Sequence, residues 1–319
     1  MSTFKAVVVK VGTLEKHFDA DTLLVTKVFD YPVIVKNGEV YEGELAVYIP
    51  ITALLPKNDQ RFAHLFGKDG RIRARKIRGV FSMGALMRAP QGMFEGDDVT
   101  DTLNIKRWEP QEDSDDEHET PEDILVLPRY ENIDNLRTWP SVLRENEDVI
   151  IREKFHGNNV RFAMTNNEFV IASRRAVISI KENLQFKYIA EKFDLASKIA
   201  RHPDIVVFGE LLGCKDLKYG FTKDAPGFVI FEAQDKRTMS YLSDTEFEAL
   251  AEDMNLLTAT VLYRGPWSKS LTALADGQSS LGHNIKEGFV VKPAIERFAK
   301  GVGRVILKYH SEKFLLSRK

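Results

Sequence analysis

A strongly acidic stretch that contains two prolines divides this sequence into two parts with different residue patterns. Thirteen acidic and two basic residues lie between Phe94 and Asp123, a net charge of −11, whereas the rest of the 319-residue chain carries +9. A polar segment with so few apolar side chains cannot bury a core. Residues 109–123 are therefore predicted to be an acidic linker with a folded domain on each side. Competition for a basic groove is the alternative role for this linker.

The composition excludes several classes of protein. With 43% hydrophobic and 10% aromatic residues, the chain can bury two cores. No apolar run reaches the roughly 20 residues that span a bilayer, and the first residues carry no signal-peptide pattern. Cys214 is the only cysteine, which excludes an internal disulfide and a cysteine-rich zinc site. We expect a cytoplasmic, reducing location and no membrane partner.

Residues 1–108 are predicted to form an OB-like β-barrel that binds nucleic acid. Short apolar or alternating runs separated by turn residues indicate antiparallel strands. Asn37-Gly38 is expected to form a hairpin turn between two of them. The predicted strands are Lys5–Val11, Leu23–Val28, Val33–Lys36 and Leu45–Ile49.

A group of basic residues in this domain is a candidate nucleic-acid contact. The run Arg71-Ile72-Arg73-Ala74-Arg75 alternates with a period of two, which in a strand would put its three arginines on one face. Lys76 and Arg78 add charge next to them. Such a face could follow a phosphate backbone, or it could be an ordinary solvated strand edge that discourages aggregation.

Residues 124–319 mix helices and strands without the regular alternation of a doubly wound sheet, which predicts an α+β domain. Helical spacing extends over Glu182–Arg201, and a capping box at Ser243–Glu246 begins a helix that ends at about Met254. Ser268–Ala275 is a further short helix. The predicted strands are Val149–Arg152, Phe169–Ala172, Ile205–Gly209, Phe228–Phe231, Thr258–Tyr263, Gly288–Lys292 and Val305–Tyr309.

The common nucleotide-binding and hydrolase signatures are absent, and one lysine stands out instead. The sequence contains no GxxxxGK[ST] loop, no GxGxxG after a strand, no HExxH and no GxSxG. The run Glu153-Lys154-Phe155-His156-Gly157-Asn158-Asn159 comes after a predicted strand, and its glycine lets the backbone turn closely around a ligand. A surface turn could have the same composition, so the interpretation depends on the later segments of the chain.

Polar residues recur at the ends of the later strands. These segments are Ser173-Arg174-Arg175, Phe208-Gly209-Glu210, Phe228–Glu232, Glu287–Lys292 and Ile306–His310. With the Lys154 segment they resemble, in order, the nucleotidyltransferase motifs of the superfamily of ATP-dependent DNA and RNA ligases and mRNA capping enzymes. Any one segment is weak, but six in the same order argue against a chance match. The resemblance implies an α+β nucleotidyltransferase (ATP-grasp-like ligase) domain.

The resemblance implies a role for each of these residues. Lys154 would attack the α-phosphorus of ATP and form a lysyl-AMP intermediate. Glu210 and Glu287 would hold Mg²⁺ or Mn²⁺ through water, or contact the ribose. Phe231 would stack on adenine or belong to the core, and Lys292 would contact a phosphate or lie on the surface. The other residues implied in ATP or AMP binding are Glu153, His156, Asn159, Arg174, Arg175, Lys308 and His310.

Two histidines depart from the usual pattern of the superfamily. His310 stands two residues after Lys308, where a second lysine is usual, and a histidine serves there only when charged or as a neutral hydrogen-bond donor. His156 stands where other members carry an aspartate. A histidine at this position is typical of the type-2 RNA ligases.

The order of the domains selects one subfamily by resemblance. DNA ligases and capping enzymes carry an OB domain after the last motif, but only 11 residues come after Lys308. The segments His17–Leu23, Arg75–Gly84 and Arg129–Ile133 resemble an RNA ligase subfamily with an N-terminal OB domain. This resemblance implies an RNA repair enzyme that uses ATP to join 5′-phosphate and 3′-OH ends, at nicks whose 3′-OH strand ends in RNA. Its partner would be RNA or an RNA-containing nicked duplex, and we expect a monomer.

Other functions remain open at this point. A DNA ligase or a GTP-using capping enzyme would share the motifs. A nucleic-acid-binding module with a dead nucleotidyl domain is a further alternative, against which the intact Lys154, Glu210, Glu287 and Lys308 argue.

Overall fold

The chain divides into two compact units. The computed structural model describes residues 4–65, 69–108, 127–174, 176–180 and 183–318. Unit 1 comprises Met1–Ser114, Asp134–Pro140 and Leu315–Lys319, and unit 2 comprises Asp115–Ile133 and Ser141–Phe314. The predicted linker at 109–123 lies outside the described residues. The domain bounds 1–108, 109–123 and 124–319 therefore stay a prediction.

Unit 1 is built from short antiparallel strands. They are β1 (Val7–Lys10), β2 (Glu15–His17), β3 (Ala20–Val28), β4 (Tyr31–Lys36), β5 (Leu45–Ile49), β6 (Ala53–Leu54), β7 (Arg75–Ile77), β8 (Val80–Ser82), β9 (Ala85–Arg88), β10 (Lys106–Arg107) and β11 (Asp134–Asn135). Two 3-10 helices span Gln60–Phe62 and Leu136–Thr138. One sheet has the order β1-β5-β9 and another β2-β3-β4, while β6 pairs with β10 and β7 with β8.

Both faces of the β1-β5-β9 sheet are buried. Along β5, Val47 and Ile49 pack into one core, whereas Ala46 and Tyr48 pack into a second core on the opposite face. Successive residues of a strand point to opposite faces. A strand that is buried on both faces therefore has a nearly continuous apolar sequence, as Leu45–Ile49 does.

The turn predicted at Asn37-Gly38 forms, but it does not join two paired strands. Gly38 has a φ of +86°, and the N–H of Glu39 donates to the carbonyl of Lys36 at 3.1 Å. However, β4 pairs with β3, and β5 pairs with β1 and β9. The hairpin prediction was wrong because an Asn-Gly turn sets only the local direction of the chain, while packing selects the partner strand.

The three predicted arginines do not share a strand face. Strand β7 begins only at Arg75, and Arg71 is buried. The guanidinium of Arg71 lies 3.4 Å from the ring centroid of Trp108, and Arg73 forms an ion pair with Asp69 at 2.6 Å. The prediction of one arginine face was wrong because the alternating residues precede the strand. A contact of Arg71, Arg73 and Arg75 with nucleic acid stays a prediction.

A short segment from the middle of the chain belongs to unit 1. The N–H of Asp30 donates to the carbonyl of Arg137 at 2.9 Å, and the hydroxyls of Tyr31 and Thr138 lie 2.8 Å apart. Residues 134–140 are thus bonded to the loop between β3 and β4. No periodic pattern in the sequence indicates this attachment.

Unit 2 mixes strands and helices, as the sequence predicts. Its strands are β12 (Asp148–Lys154), β13 (Asn158–Thr165), β14 (Glu168–Ala172), β15 (Ile205–Leu212), β16 (Gly227–Asp235), β17 (Val261–Pro266), β18 (Gly288–Pro293), β19 (Phe298–Ala299), β20 (Gly303–Arg304) and β21 (Leu307–His310). The helices are α1 (Leu184–Lys192), α2 (Leu195–Ala200), α3 (Asp244–Asp253) and α4 (Glu312–Ser317), with a 3-10 helix at Lys269–Ala275.

Two antiparallel sheets organise unit 2. In one sheet β12 lies between β17 and β18, and β18 also pairs with β21. The other sheet has the order β14-β13-β15-β16. One face of this second sheet, which includes Phe162 and Val207, packs with apolar residues of α1, α2 and α3. The opposite face carries Asn159 and Glu210, which are register partners on β13 and β15.

The predicted helix at Glu182–Arg201 is two helices in the structure. Asp194 has a φ of +50°, a left-handed conformation that a right-handed helix cannot contain. It therefore separates α1, which ends at Lys192, from α2, which begins at Leu195. Apolar spacing continues across the break because Ile189 and Leu195 pack into the same core. Strand β13 was not predicted. No helix among the described residues is long and apolar enough to cross a membrane.

The capping box of α3 is present and leads to a prediction. The N–H of Glu246 donates to the Ser243 hydroxyl at 3.3 Å, and the N–H of Ser243 donates to the Glu246 carboxylate at 2.8 Å. We expect Ser243→Ala to lower the free energy of unfolding by about 1 kcal/mol, because one donor loses its partner. Urea denaturation measures this. Ser240→Ala is the matched control, and an equal loss in both variants would contradict the role of the cap.

Candidate active site

Five basic side chains share one face of the β12-β18-β21 sheet. Lys154 is the last residue of β12 and lies opposite Gly288, which in turn lies opposite His310. Register partners point to the same face and alternate residues return to it. The basic side chains that this alternation brings to one face are Arg152, Lys154, Lys292, Lys308 and His310.

Lys154 is held by a buried carboxylate. Its Nζ donates to Oε2 of Glu287 at 2.9 Å, and 23% of the Lys154 side chain stays exposed. Glu287 immediately precedes β18, where Gly288 has a φ of +152°. A Cβ at Gly288 would overlap the carbonyl oxygen of Tyr309. The glycine therefore permits the close approach of β18 and β21 that places the carboxylate beside the lysine.

Two imidazoles lie on the other oxygen of this carboxylate. Nδ1 of His156 is 3.7 Å and Nε2 of His310 is 3.6 Å from Oε1 of Glu287. Burial alone would raise the pKa of Glu287, but Lys154 and the hydrogen bonds from the two histidines outweigh it and hold this pKa well below its usual range. The ring of Phe314 contacts both imidazoles, with centroids 5.1 Å and 5.9 Å away. Glu287 is therefore an anchored anion.

His310 is neutral at physiological pH. Burial lowers its pKa to about 4; Glu287 opposes this shift, while Lys154 and Lys308 add to it. The sequence left open whether His310 acts as a cation or as a neutral donor. The structure favours the neutral donor, because its Nε2 faces the Glu287 carboxylate.

A second carboxylate, that of the half-buried Glu210, lies across the site. Oε1 of Glu210, on β15, accepts the N–H of Gly157 at 2.9 Å. A Cβ at Gly157 would overlap the carbonyl oxygen of Leu211, so this glycine is required for the close approach. Desolvation is the main cause that raises the pKa of Glu210, and the charge of Lys154 opposes it while that of Glu287 adds to it. The net result is a pKa of about 7. The two carboxylates thus have pKa values moved in opposite directions, as is common in functional sites.

Three further predicted residues flank this pair. The Oδ1 of Asn159 is buried and has no hydrogen-bond partner within the part of the chain that is described, which suits a ligand contact. Phe231 is half-buried and meets the ring of Tyr130 edge-on at 5.0 Å. Arg174 is exposed and lowers the pKa of Glu210 through its charge. Arg175 lies outside the described residues.

Glu153 points away from the lysine cluster. It alternates with Lys154 on β12 and is buried. Its carboxylate accepts the Ser279 hydroxyl at 2.6 Å and the N–H of Ser280 at 2.9 Å. In this structure Glu153 therefore fixes the 279–280 loop, and its predicted contact with ATP stays a prediction.

Lys292 is bonded to a buried carboxylate that the sequence did not single out. Its Nζ donates to Oε1 of Glu232 at 2.7 Å, Arg304 donates to Oε2 at 2.9 Å, and the Tyr130 hydroxyl donates to Oε2 at 2.8 Å. Lys292 and Arg304 outweigh the effect of burial and lower the pKa of Glu232 to about 2. This network connects β16 with β18 and β20. Lys292 is thus not a plain surface residue.

Tyr219 is a second residue that sequence reasoning missed. Its hydroxyl accepts the N–H of His156 at 2.9 Å, and its ring meets Phe155 edge-on at 5.3 Å. Tyr219 therefore supports the backbone turn directly after Lys154. Its glycine neighbour Gly220 is the one local signal of a tight turn there.

The carboxylates of Glu210 and Glu287 fit a divalent cation that also binds phosphate oxygens. Magnesium is commonly held by one or two carboxylates together with substrate phosphates and water. Glu210 and Glu287 match this donor set, and the raised pKa of Glu210 reflects a desolvated charge that a cation would compensate. No cluster of three or more histidine, cysteine, aspartate or glutamate side chains that could hold a metal occurs among the described residues. A cage formed only by protein ligands is therefore not indicated there.

Comparisons with known proteins agree with this geometry. A family model described as RNA ligase matches residues 147–310, and an OB-fold domain model matches residues 5–89. No curated protein sequence matches the chain.

Solved structures of an RNA ligase from Naegleria gruberi share the fold. A mutant without ligand has a TM-score of 0.83 at 18% identity over 97% of both chains. A mutant with AMP and Mn has the same TM-score, identity and coverage. The structure with PPi also has a TM-score of 0.83 at 18% identity, over 98% of both chains.

The buried Glu232 network predicts a pH-dependent stability. The pKa of Glu232 is lowered from 4.5 to about 2, so its contribution is present above about 4.5 and is lost as the pH falls towards about 2. We expect Glu232→Gln to lower the free energy of unfolding by about 3 to 5 kcal/mol near neutral pH, because Lys292 and Arg304 lose their counterion. Denaturant titrations along a pH series measure this difference, which should shrink in acid.

The exposed Glu252 offers a matched control. Glu252→Gln should change the free energy of unfolding little at any pH. A constant difference between wild type and Glu232→Gln across the whole acid range would contradict the assigned ionisation.

Proposed function

Because the chain belongs to the RNA ligase family, we propose that it joins 5′-phosphate and 3′-OH RNA ends at nicks in duplexes, through AMP carried on Lys154. The observation that carries the proposal is the Lys154–Glu287 pair at the end of β12, with 2.9 Å between Nζ and Oε2. A partly exposed amine that is held in place by a buried carboxylate suits a nucleophile, because a ligand can reach it.

In the first step, Nζ of Lys154 bonds to the α-phosphorus of ATP and the bond to pyrophosphate breaks. The amine must first lose a proton. Glu287 accepts a hydrogen bond from this amine at 2.9 Å. Lys308 lies on the same sheet face and would bring its positive charge to the α-phosphate. A divalent metal held by Glu210 and Glu287, when bound, would offset the charge of the phosphates.

The next two steps move AMP and then release it. An oxygen of the RNA 5′-phosphate attacks the phosphorus of lysyl-AMP, so that the P–N bond breaks and a P–O–P linkage forms. The 3′-OH then attacks the 5′-phosphate phosphorus, forms the phosphodiester and expels AMP. Neither step needs a further nucleophile from the chain. Its residues contribute orientation and charge stabilisation.

Nucleotide recognition is assigned to the face of the second sheet that carries Glu210. Asn159 has a buried, unpartnered Oδ1 for a ribose or phosphate hydroxyl, and Phe231 is a half-buried ring for adenine. Arg174 supplies an exposed positive charge for the phosphates. Solved structures of the same fold contain ATP and Mn, with a TM-score of 0.82, or AMP and Mn. These complexes support ATP and a divalent cation as the cofactors.

The proposal predicts which nicks are sealed. With ATP and Mg²⁺ or Mn²⁺, we expect sealing when the 3′-OH strand ends in RNA, and much slower sealing of the same nick in all-DNA form. A denaturing gel of a labelled 5′-phosphate strand measures the rate. Lys154→Ala should not seal either nick from ATP, because the nucleophile is missing.

The exposed Lys300 offers a matched control, since Lys300→Ala removes a lysine outside the site. Equal sealing of both nicks would indicate a DNA ligase. Use of GTP in place of ATP would indicate a capping-type enzyme, and no sealing by the folded wild type would favour a binding module.

A further inference from the structure

Two segments of unit 1 that are far apart in sequence meet at the tip of the β7-β8 hairpin. Nε2 of His17 lies 3.1 Å from the carbonyl oxygen of Ile77, 60 residues away. Nη1 of Arg78 donates to the carbonyl oxygen of Asp19 at 2.8 Å. The loop 17–19 after β2 is therefore fixed to the hairpin by two hydrogen bonds. Neither contact belongs to the nucleotidyltransferase site.

The turn of this hairpin is strained. Arg78 and Gly79 form a two-residue turn between Ile77 and Val80, with φ values of +42° and +86°. This type I′ geometry favours asparagine or aspartate before the glycine, and an arginine at positive φ is uncommon. The hydrogen bond to Asp19 holds Arg78 there. Backbone strain of this kind concentrates at functional sites.

The loop presents an exposed aromatic ring on top of the turn. Phe18 is 78% exposed. Its ring is stacked on that of the buried His17, with centroids 5.1 Å apart and planes inclined by 19°. A Cβ at Gly79 would lie 3.3 Å from the Phe18 ring, so the glycine lets the ring rest on the backbone. Phe18 is thus held by contacts on two sides while most of its surface faces solvent.

The hairpin beside Phe18 is basic, although the loop of Phe18 itself carries the exposed Asp19 and Asp21. The hairpin segment Arg75–Ser82 contains three basic residues, all exposed, and no acidic residue. In contrast Phe94, an equally exposed ring in the same unit at 74%, is adjoined by Glu95, Asp97 and Asp98. The ring of Phe18 therefore lies beside a basic hairpin, whereas only acidic charges adjoin Phe94 within four residues along the chain. We name Phe18 with Arg75, Lys76 and Arg78 the hairpin platform.

We propose that the hairpin platform binds an unpaired nucleotide of the RNA substrate, with its base stacked on Phe18 and the adjoining phosphates beside Arg75, Lys76 and Arg78. Every base has a flat face and every nucleotide a phosphate, so an exposed ring next to cations matches this ligand. Bases inside a duplex are already stacked. The platform therefore binds a single-stranded segment of the RNA that also carries the nicked duplex. This inference rests on the proposed function for the identity of the substrate.

The test is a cycle that removes the ring and the base in turn. Fluorescence anisotropy measures binding of a labelled single-stranded RNA of about 12 nucleotides, within the site sizes of OB folds, and of the same chain without bases. Phe18→Ala should weaken binding of the RNA about 5- to 100-fold. The chain without bases should bind wild type and Phe18→Ala equally, because only phosphate contacts remain.

Two further variants separate stacking from folding. Phe18→Leu keeps an apolar side chain over Gly79 and should lose affinity like Phe18→Ala, whereas Phe18→Trp should retain it. Phe94→Ala is the matched exposed ring and should bind as wild type does. Unchanged binding of the RNA by folded Phe18→Ala would overturn the proposal, and so would an equal loss of affinity for the chain without bases.

The outcome is independent of the test of the proposed function. Transfer of AMP from ATP to the wild-type protein requires no RNA and reports on the nucleotidyltransferase site alone. Adenylylation without stacking at Phe18 would refute only the hairpin platform. Stacking without adenylylation would refute only the ligase chemistry.

Discussion

The ion pair between Lys154 and Glu287 is the interaction on which the candidate active site depends. Either charge alone in this buried place would be costly, and removal of one partner from a buried pair typically costs several kcal/mol. Gly288 permits the strand approach that brings the pair together, and His156 and His310 hold the second carboxylate oxygen. The charge of Glu287 is therefore balanced by Lys154 and flanked by two imidazoles.

Glu210 and Glu287 respond differently to the same environment. Glu287 is buried and Glu210 is half-buried, yet desolvation dominates the pKa of Glu210 whereas neighbouring groups dominate the pKa of Glu287. The imidazole of His310, with its Nε2 at 3.6 Å from Oε1 of Glu287, is one of these neighbours. A lysine at this position would add a charge next to Lys154. The histidine thus preserves the carboxylate anchor while reducing the net charge of the site.

The sequence predicted most strands of unit 2 and the segments that carry the candidate site residues. Lys154, Lys308 and His310 lie on one sheet face because strand register and the pleat bring them there. The same reasoning missed the partners that come from another sheet. Lys292 bonds to Glu232, which no spacing in the sequence connects with it.

Local patterns also failed where tertiary contacts decide the conformation. The alternating arginines precede strand β7, and Arg71 is buried against Trp108 instead of facing solvent with Arg75. Apolar spacing did not detect the helix break at Asp194, since both helices pack on one core. The contact of Arg78 with Asp19 joins residues 59 apart, which no local pattern specifies.

The most direct test of the central claim is to locate AMP on the protein. Wild type, freed of bound nucleotide, is incubated with ATP and Mg²⁺ or Mn²⁺ and digested, and mass spectrometry identifies the peptide that carries AMP. The account predicts one acid-labile AMP adduct, on Lys154, that is absent from Lys154→Ala and retained in Lys300→Ala. AMP on another residue, or no adduct on the folded wild type, would contradict it.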